Sequence, residues 1–79
     1  MKGFLDYTIR MLIQHPEDFV LSEVDGGRTT YFRVEMHRDD VGRVIGKSGH
    51  TITAIRNLMT AAGEKDGRRV QIEIIGAQP

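Results

Sequence analysis

The sequence predicts an α+β fold with the order helix–strand–strand–helix–helix–strand, and three observations support that order. Apolar residues recur at helical spacing near the N-terminus and again on both sides of a Gly-x-x-Gly segment. Apolar and polar residues alternate in most of the remaining stretches, which is typical of strands that bury one face. Asp25-Gly26-Gly27 separates the first two strands and predicts the turn of an antiparallel hairpin.

The first half of the chain is predicted to form one helix followed by that hairpin. Apolar side chains near a 3.6-residue period predict a helix over 2–14, and Pro16 prevents its continuation. Alternation predicts strands over 18–25 and 29–37, and the second of these is rich in β-branched and aromatic residues.

Two short helices are predicted on either side of the glycine segment. Asp39 or Asp40 is expected to cap the first helix. Its apolar face carries Val41, Val44 and Ile45. The second helix is predicted over 50–62, with Gly63 ending it as the C′ residue. Its inward residues are predicted to be Ile52, Ile55, Leu58, Met59 and Ala62.

A last strand over 69–75 and a frayed tail over 76–79 complete the predicted chain. A strand–helix–helix–strand connection crosses with right-handed chirality, which makes the two strands that it joins parallel. We therefore expect a three-stranded mixed sheet with three helices packed on one face. The 79 residues are expected to form a single domain, with the N-terminal helix and strand in 2–25 and the core in 29–75.

Composition and charge narrow the classes of function. The chain has no cysteine, no apolar stretch long enough to cross a membrane and no signal-peptide core, so we expect a cytoplasmic protein without disulfides. The net charge is zero, but residues 1–27 carry two basic and five acidic residues (net −3), whereas residues 28–79 carry nine and six (net +3). The basic excess lies in the half that contains the glycine segment, which is a weak indication of a nucleic-acid partner.

Gly46-Lys47-Ser48-Gly49 has the chemistry of a loop that admits a phosphate chain. Glycines let the loop turn sharply and leave room beside the backbone, and the helix that follows directs free N–H groups and its positive dipole end at the same place. The alternative of a nucleotide-hydrolase phosphate loop is rejected, because the segment from Gly42 is one residue short of that spacing and follows a helix rather than a strand.

Residues 44–55 match every specified position of the KH-domain signature Val-Ile-Gly-x-x-Gly-x-x-Ile-x-x-Ile. The sequence therefore resembles the KH family. A helix and a strand precede the core, and too few residues follow it for a further strand and helix, so the order resembles the type II, prokaryotic KH fold. The whole chain is similar to small stand-alone bacterial KH proteins of the KhpA type.

That resemblance implies binding of single-stranded RNA or DNA, with the loop holding the backbone and aliphatic side chains under the bases. Lys47 would contact phosphate, Val34 would form the opposite wall of the groove, and Arg43 and Arg56 would lie at its rim. The full set of implied RNA-binding residues is Gly46, Lys47, Ser48, Gly49, Val41, Arg43, Val44, Ile45, Ile52, Arg56 and Val34. The apolar members also fit a plain core role by their spacing.

The resemblance further implies self-association, pairing with a larger KH-containing protein, or both, and a role as an RNA chaperone or post-transcriptional regulator linked to cell shape. The alternative function is a protein-interaction adaptor that keeps the KH fold. No catalytic arrangement, cofactor or metal site is expected, because His15, His37 and His50 lie on different elements and the chain has no cysteine.

Overall fold

The computed structural model describes residues 1–77 and has the predicted order of elements. Three helices and three strands follow one another as α1 (Lys2–Arg10), β1 (Val20–Asp25), β2 (Thr29–His37), α2 (Arg38–Ile45), α3 (His50–Lys65) and β3 (Arg69–Ala77). The predicted tail begins inside β3, whose last two residues are Gly76 and Ala77, and its end at 78–79 lies outside the described residues.

The sheet has the order β1–β2–β3, with β1 antiparallel and β3 parallel to the central strand β2. The predicted mixed sheet and the parallel crossover are therefore confirmed. The predicted bounds of β2 agree with the structure at both ends. The hairpin turn is held by a hydrogen bond from the Gly26 N–H to the Thr29 carbonyl and another from the Gly27 N–H to the Asp25 carboxylate.

The core lies between one face of the sheet and the helices. On β2 the side chains of Phe32, Val34 and Met36 point to this face and are at most 1% exposed, whereas Tyr31 and Arg33, on either side of Phe32, are exposed. This period of two is what buries one face of a strand and leaves the other in solvent. The remaining apolar core residues are Leu5, Ile9, Phe19, Val44, Ile52, Ile55, Met59 and Ile72.

Helix α1 ends at Arg10, four residues earlier than predicted, and a tertiary contact explains the difference. The buried carboxylate of Asp40 accepts hydrogen bonds from the backbone N–H groups of Gln14 and His15, each at 2.9 Å. A helix would have directed those N–H groups to carbonyls one turn back. The segment after Arg10 instead turns toward α2, and it places Leu12 and Ile13 against the core.

The predicted N-cap of α2 is also wrong. Neither Asp39 nor Asp40 is the N-cap residue, because His37 occupies that position and its Nδ1 accepts a hydrogen bond from the Asp39 N–H at 3.0 Å. Asp40 lies on the inner side of the first turn and is 0% exposed, so its carboxylate serves the distant chain segment instead. The sequence pattern of a helix start cannot distinguish these roles, because both place an acceptor near free N–H groups.

Gly63 does not end α3, which continues to Lys65. A Cβ at Gly63 would lie 2.7 Å from Val70 Cγ2 and 2.9 Å from the Arg68 carbonyl oxygen, so glycine permits a close approach of the helix to the start of β3. The turn is made by Gly67, which has a φ of 68°. The Gly63 position is thus a packing requirement rather than a helix terminus.

The predicted inward position of Leu58 is also wrong, since this side chain is 56% exposed. The buried stripe of α3 contains Ile52, Ile55, Met59 and Gly63. Close packing at Gly63 determines how the helix is rotated, and Leu58 lies about 100° around the helix from Met59. No helix within residues 1–77 combines the length and the apolar character needed to cross a membrane.

Candidate nucleic-acid interface

Three of the four residues in the loop between α2 and α3 have a positive φ, which few residues other than glycine adopt. Gly46 has φ 78° and ψ 172°, Ser48 has φ 56° and ψ 24°, and Gly49 has φ 75° and ψ 12°. Hydrogen bonds from the Gly46 N–H to the Gly42 carbonyl and from the Gly49 N–H to the Gly46 carbonyl hold the loop closed. Ser48 is the only non-glycine residue with positive φ within residues 1–77.

The two glycines are required for different reasons. A Cβ at Gly46 would overlap Thr51 Oγ1 and lie 2.7 Å from Thr51 Cβ, so this position needs both the positive φ and the missing side chain. A Cβ at Gly49 would have no atom within 4 Å, so only the backbone conformation favours glycine there. The loop therefore presents bare backbone on the side of Gly49 and is packed on the side of Gly46.

The exposed tip of the loop carries the positive charge. The side chains of Lys47 and Ser48 are exposed, and His50 at the start of α3 is exposed as well. No side chain caps the N-terminus of α3, so the partial positive charge of this helix end is not neutralised by the protein itself. A lysine, a hydroxyl donor and a helix N-terminus that share one small surface form an arrangement suited to a phosphate group.

An aliphatic surface lies beside the loop where α2 packs on β3. A Cβ at Gly76 would lie 2.9 Å from Val41 Cγ2 and 3.5 Å from Arg38 Cα, so glycine lets the helix approach the end of this strand closely. Val41, Ile45 and Ile74 are half-buried and pack against the core from this side. Their partial exposure provides an apolar floor that solvent reaches.

Three members of the predicted site do not reach solvent. Val34 and Val44 are 0% exposed and Ile52 is 4% exposed. The expectation that Val34 forms an open wall of the groove is corrected, because β2 is the central strand and its inward residues are covered by helices. The edge strand beside α2 is β3 rather than β2. Val44 and Ile52 are buried in the core and support the aliphatic surface from beneath.

The two predicted rim arginines are engaged by the protein in different places. Arg43 donates hydrogen bonds to the Asp39 carbonyl at 2.8 Å, to Asp40 Oδ1 at 3.2 Å and to Gln14 Oε1 at 3.1 Å, so it ties α2 to the segment after α1. Arg56 donates to the Ile72 carbonyl at 3.2 Å. Of the two, Arg56 lies beside β3, in the wall of a surface pocket of about 260 Å³.

β3 is an edge strand, so one side of its backbone has no partner strand within residues 1–77. The Ile72 carbonyl accepts a hydrogen bond from Arg56 of α3, which indicates that this carbonyl lies on the unpaired side. Alternation along a strand then places the N–H and C=O groups of Ile74 on the same outer edge, next to Val41 and Gly76. Sequence reasoning missed this edge, and a glycine inside an apolar strand at Gly76 was the available signal.

Comparison with known proteins agrees with this geometry. The chain matches the family model described as "KhpA/KhpB, KH domain" over residues 2–74. It is 40% identical over 75 residues to the "RNA-binding protein KhpA" of Halalkalibacterium halodurans, which covers 95% of this chain and 99% of the relative. No solved structure gives a significant match.

Two further relatives are of similar length. The "RNA-binding protein KhpA" of Chlamydia muridarum is 39% identical over 75 residues, with 95% of this chain and 96% of the relative covered. The protein with the same name from Listeria monocytogenes is 36% identical over 75 residues, with 95% and 99% covered. The similarity thus extends over nearly the full length of both chains in each comparison.

Proposed function

Because the chain belongs to the KhpA/KhpB KH-domain family, we propose that it binds single-stranded RNA at the loop 46–49 and along the surface between α2 and β3. The observation that carries this proposal is the loop itself. Two glycines and Ser48 adopt positive φ, and Lys47 is exposed beside a helix N-terminus that no side chain caps. These relatives of similar length are named RNA-binding proteins, which supports RNA as the ligand.

The residues divide into three roles. The backbone of Gly46 and Gly49 with the Lys47 and Ser48 side chains would hold one or two phosphates. The predicted floor under the bases is reduced to its accessible members, Val41 and Ile45, and Ile74 on β3 is added to it. The outer edge of β3 would offer backbone N–H and C=O groups to the base edges, and Arg56 would close that end of the surface.

Charge reversal at the loop tests this proposal directly. Lys47→Asp with Ser48→Asp places carboxylates where phosphates would lie and leaves both glycines unchanged. Lys65→Asp with Ala61→Asp is the matched control, because it changes net charge by the same amount at two exposed positions in the last turns of α3. These positions lie roughly 16–22 Å along the helix from the glycine loop and are not on α1.

Affinity for a labelled, mixed-sequence RNA oligonucleotide is measured by fluorescence anisotropy at several salt concentrations. The loop variant is expected to bind about tenfold more weakly or worse, which corresponds to about 1.4 kcal/mol or more, and to show a shallower salt dependence. The control is expected to bind within about threefold of the wild type, since its charges act only at long range. Equal affinity of the loop variant and the control, both folded by circular dichroism, would contradict the assignment.

A DNA oligonucleotide of the same sequence separates the two nucleic acids. A 2′-hydroxyl contact requires donors or acceptors near the sugar, and the outer backbone edge of β3 can provide both. We propose RNA as the cytoplasmic partner and expect the DNA to bind more weakly. Equal affinities would indicate that only phosphate and base contacts are made.

A second feature favours self-association. Phe4 and Tyr7 on α1 and Met11 directly after it follow one another at helical spacing and are 46%, 67% and 70% exposed. Such a stripe on a monomer marks an interaction surface more often than chance exposure. We propose that a second copy of the chain covers it, because one module contacts few nucleotides and a dimer gains affinity through avidity.

Tyr7→Glu tests the dimer, with Thr53→Glu on the exposed face of α3 as the control for added charge. Light scattering after size exclusion is expected to show a dimer for the wild type and the control and a monomer for Tyr7→Glu. A wild type that is monomeric at high concentration would refute self-association. The stripe would then remain available for a larger KH-containing partner, which is the adaptor role. A function as RNA chaperone or post-transcriptional regulator, without catalysis, is the cellular role we propose for this single module.

A further inference from the structure

Two imidazoles and a carboxylate meet where β2 passes into α2, at the end of that helix away from the glycine loop. The rings of His15 and His37 stack with their centroids 4.0 Å apart and their planes inclined by 20°. Potential ligand atoms of His15, His37 and Asp39 all lie within 4.8 Å of one another. The sequence favoured no metal site because the histidines belong to different elements, but the fold brings two of them together.

The protein holds both histidine backbones in place without help from a ligand. The N–H of His15 donates to Asp40 Oδ2 at 2.9 Å, so the buried carboxylate determines where this residue lies. His37 is the last residue of β2 and caps α2 through its Nδ1. A ligand set on two fixed backbone positions loses little conformational freedom when an ion binds.

The surroundings suit a divalent cation that solvent can deliver. The side chains of His15 and His37 are 35% and 30% exposed, and that of Asp39 is 64% exposed. Glu17 Oε1 lies 3.5 Å from His15 Nδ1, which adds a second carboxylate to the cluster. Asp40 is buried and paired with Arg43, whereas Asp39 is exposed, with Oδ1 3.9 Å from Arg38 Nε and Oδ2 3.7 Å from His37 Nδ1. Asp39 and Glu17 are therefore the carboxylates that an ion from solvent can reach.

We propose that His15, His37 and Asp39 bind one Zn²⁺ ion per chain, with Glu17 or water in the fourth position. Imidazole nitrogens and carboxylate oxygens are the ligands that zinc takes in proteins when thiolates are absent. The site joins the segment between α1 and β1 to the first turn of α2. It therefore connects two parts of the chain that are 22 positions apart in sequence (37 minus 15).

Binding requires two local rearrangements. Nearly parallel rings cannot both direct an in-plane lone pair at one ion, so one ring must rotate about its Cβ–Cγ bond. The ring of His15 is the freer of the two, because within residues 1–77 it makes no hydrogen bond and its one ion-pair contact is the exposed Glu17 at 3.5 Å, whereas the His37 ring caps α2. Rotation of that ring replaces the stack by two nitrogens that converge with the Asp39 carboxylate.

The second rearrangement concerns the cap of α2. A neutral imidazole carries one N–H, and His37 Nδ1 accepts the Asp39 N–H, so the proton is on Nε2. Zinc on Nδ1 takes that lone pair directly, and zinc on Nε2 moves the proton to Nδ1. Either way the Asp39 N–H exchanges its acceptor when the ion binds, which gives the site a spectroscopic signature that an ion held by surface carboxylates alone does not have.

The experiment titrates Zn²⁺ into tag-free, chelator-treated protein and follows the heat of binding and the amide NMR spectrum. His15→Phe removes one ligand and keeps a ring against His37, and His37→Asn removes the other and keeps a capping side chain. His50→Asn removes the exposed histidine at the start of α3 and is the matched control. Circular dichroism and urea unfolding of the metal-free proteins verify that each variant is folded.

Saturable binding of one Zn²⁺ per chain is expected, with the largest amide shift at Asp39. Since loss of even an outer-shell partner typically weakens metal binding about tenfold or more, His15→Phe and His37→Asn are each expected to bind at least about tenfold more weakly. His50→Asn is expected to match the wild type. Absence of saturable binding to the wild type would overturn the proposal. Equal affinity in all three variants would also overturn it, because the ion would then be adventitious.

Discussion

Replacement of Asp40 by asparagine perturbs the contact that shapes the N-terminal half of the molecule. The carboxylate is fully buried and accepts the N–H groups of Gln14 and His15 at 2.9 Å each, while Arg43 approaches Oδ1 at 3.2 Å. Asparagine keeps the shape of the side chain, but it offers one acceptor oxygen and one NH₂ donor where two backbone N–H donors need acceptors. One backbone N–H therefore loses its partner, and the charge that strengthened the other bond disappears.

The magnitude follows from those two losses. A hydrogen bond to a charged group contributes about 1.5–3 kcal/mol, and an unsatisfied buried donor costs about 1–3 kcal/mol. We expect the free energy of unfolding of Asp40→Asn to fall by about 3 kcal/mol, which is a large share of the roughly 4–12 kcal/mol expected for a chain of this length. The melting temperature is expected to fall by about 10–25 °C.

Urea unfolding followed by circular dichroism at pH 7 measures this change, and Asp39→Asn is the control. Asp39→Asn makes the same chemical change on the same helical turn, but at a side chain that is 64% exposed. It is expected to lose less than about 1 kcal/mol, the size of a helix-dipole interaction. If Asp40→Asn is no less stable than Asp39→Asn, the buried carboxylate does not hold the segment after α1 and the reasoning is refuted.

The pH dependence of the free energy of unfolding provides an independent test. Burial raises the pKa of Asp40, but hydrogen bonds from the N–H groups of Gln14 and His15, with the charges of His15 and Arg43, outweigh it and hold the pKa below its usual value. A depressed folded pKa means that the stabilisation is present above the unfolded pKa of about 3.9 and is lost as the pH falls through the lower folded value. The stability difference between wild type and Asp40→Asn is therefore expected to shrink as the pH falls below about 4.

Four further substitutions test other parts of the structure. Gly46→Ala is expected to lower the free energy of unfolding by about 2–4 kcal/mol, because φ is 78° and a Cβ would overlap a threonine side chain. Gly42→Ala, in the open middle of α2, is expected to raise it by about 0.5–1 kcal/mol. Urea unfolding measures both changes. Gly63→Ala is expected to lower stability by about 1–3 kcal/mol despite the better helix propensity of alanine, because the Cβ meets β3; a more stable variant would disprove that contact. Arg68→Met is expected to raise the pKa of the Asp25 carboxyl in an NMR titration, because its hydrogen bond from Arg68 at 2.8 Å lowers that pKa; an unchanged pKa would show that the pair does not form in solution.

Local chemistry allowed much of the fold to be predicted. Strict alternation in 29–37 defined β2 at both ends, because a strand with one buried face has no other pattern. The handedness of crossover connections determined that β3 runs parallel to β2 before any contact was known. The glycine loop was found from its signature, and the structure places both glycines at positive φ, where their residue type is required.

The surface beside the loop could be predicted only in part. The family resemblance assigned Val34, Val44 and Ile52 to the RNA-binding groove, but neither resemblance nor spacing says which apolar residues are covered by other elements. Their burial depends on β2 being the central strand and on the helices packed over it. The outer edge of β3 is likewise a consequence of strand order, which no single segment contains.

The sequence by itself determined the order of elements, the parallel crossover and the exposed loop of Gly46–Gly49, because each depends on residues that are neighbours along the chain. Tertiary structure decided where α1 ends, what Asp40 does and that His15 meets His37. These depend on contacts between residues more than twenty positions apart, such as the 26 between Gln14 and Asp40. A buried carboxylate accepts whichever N–H groups the fold brings to it, and only packing determines which ones those are.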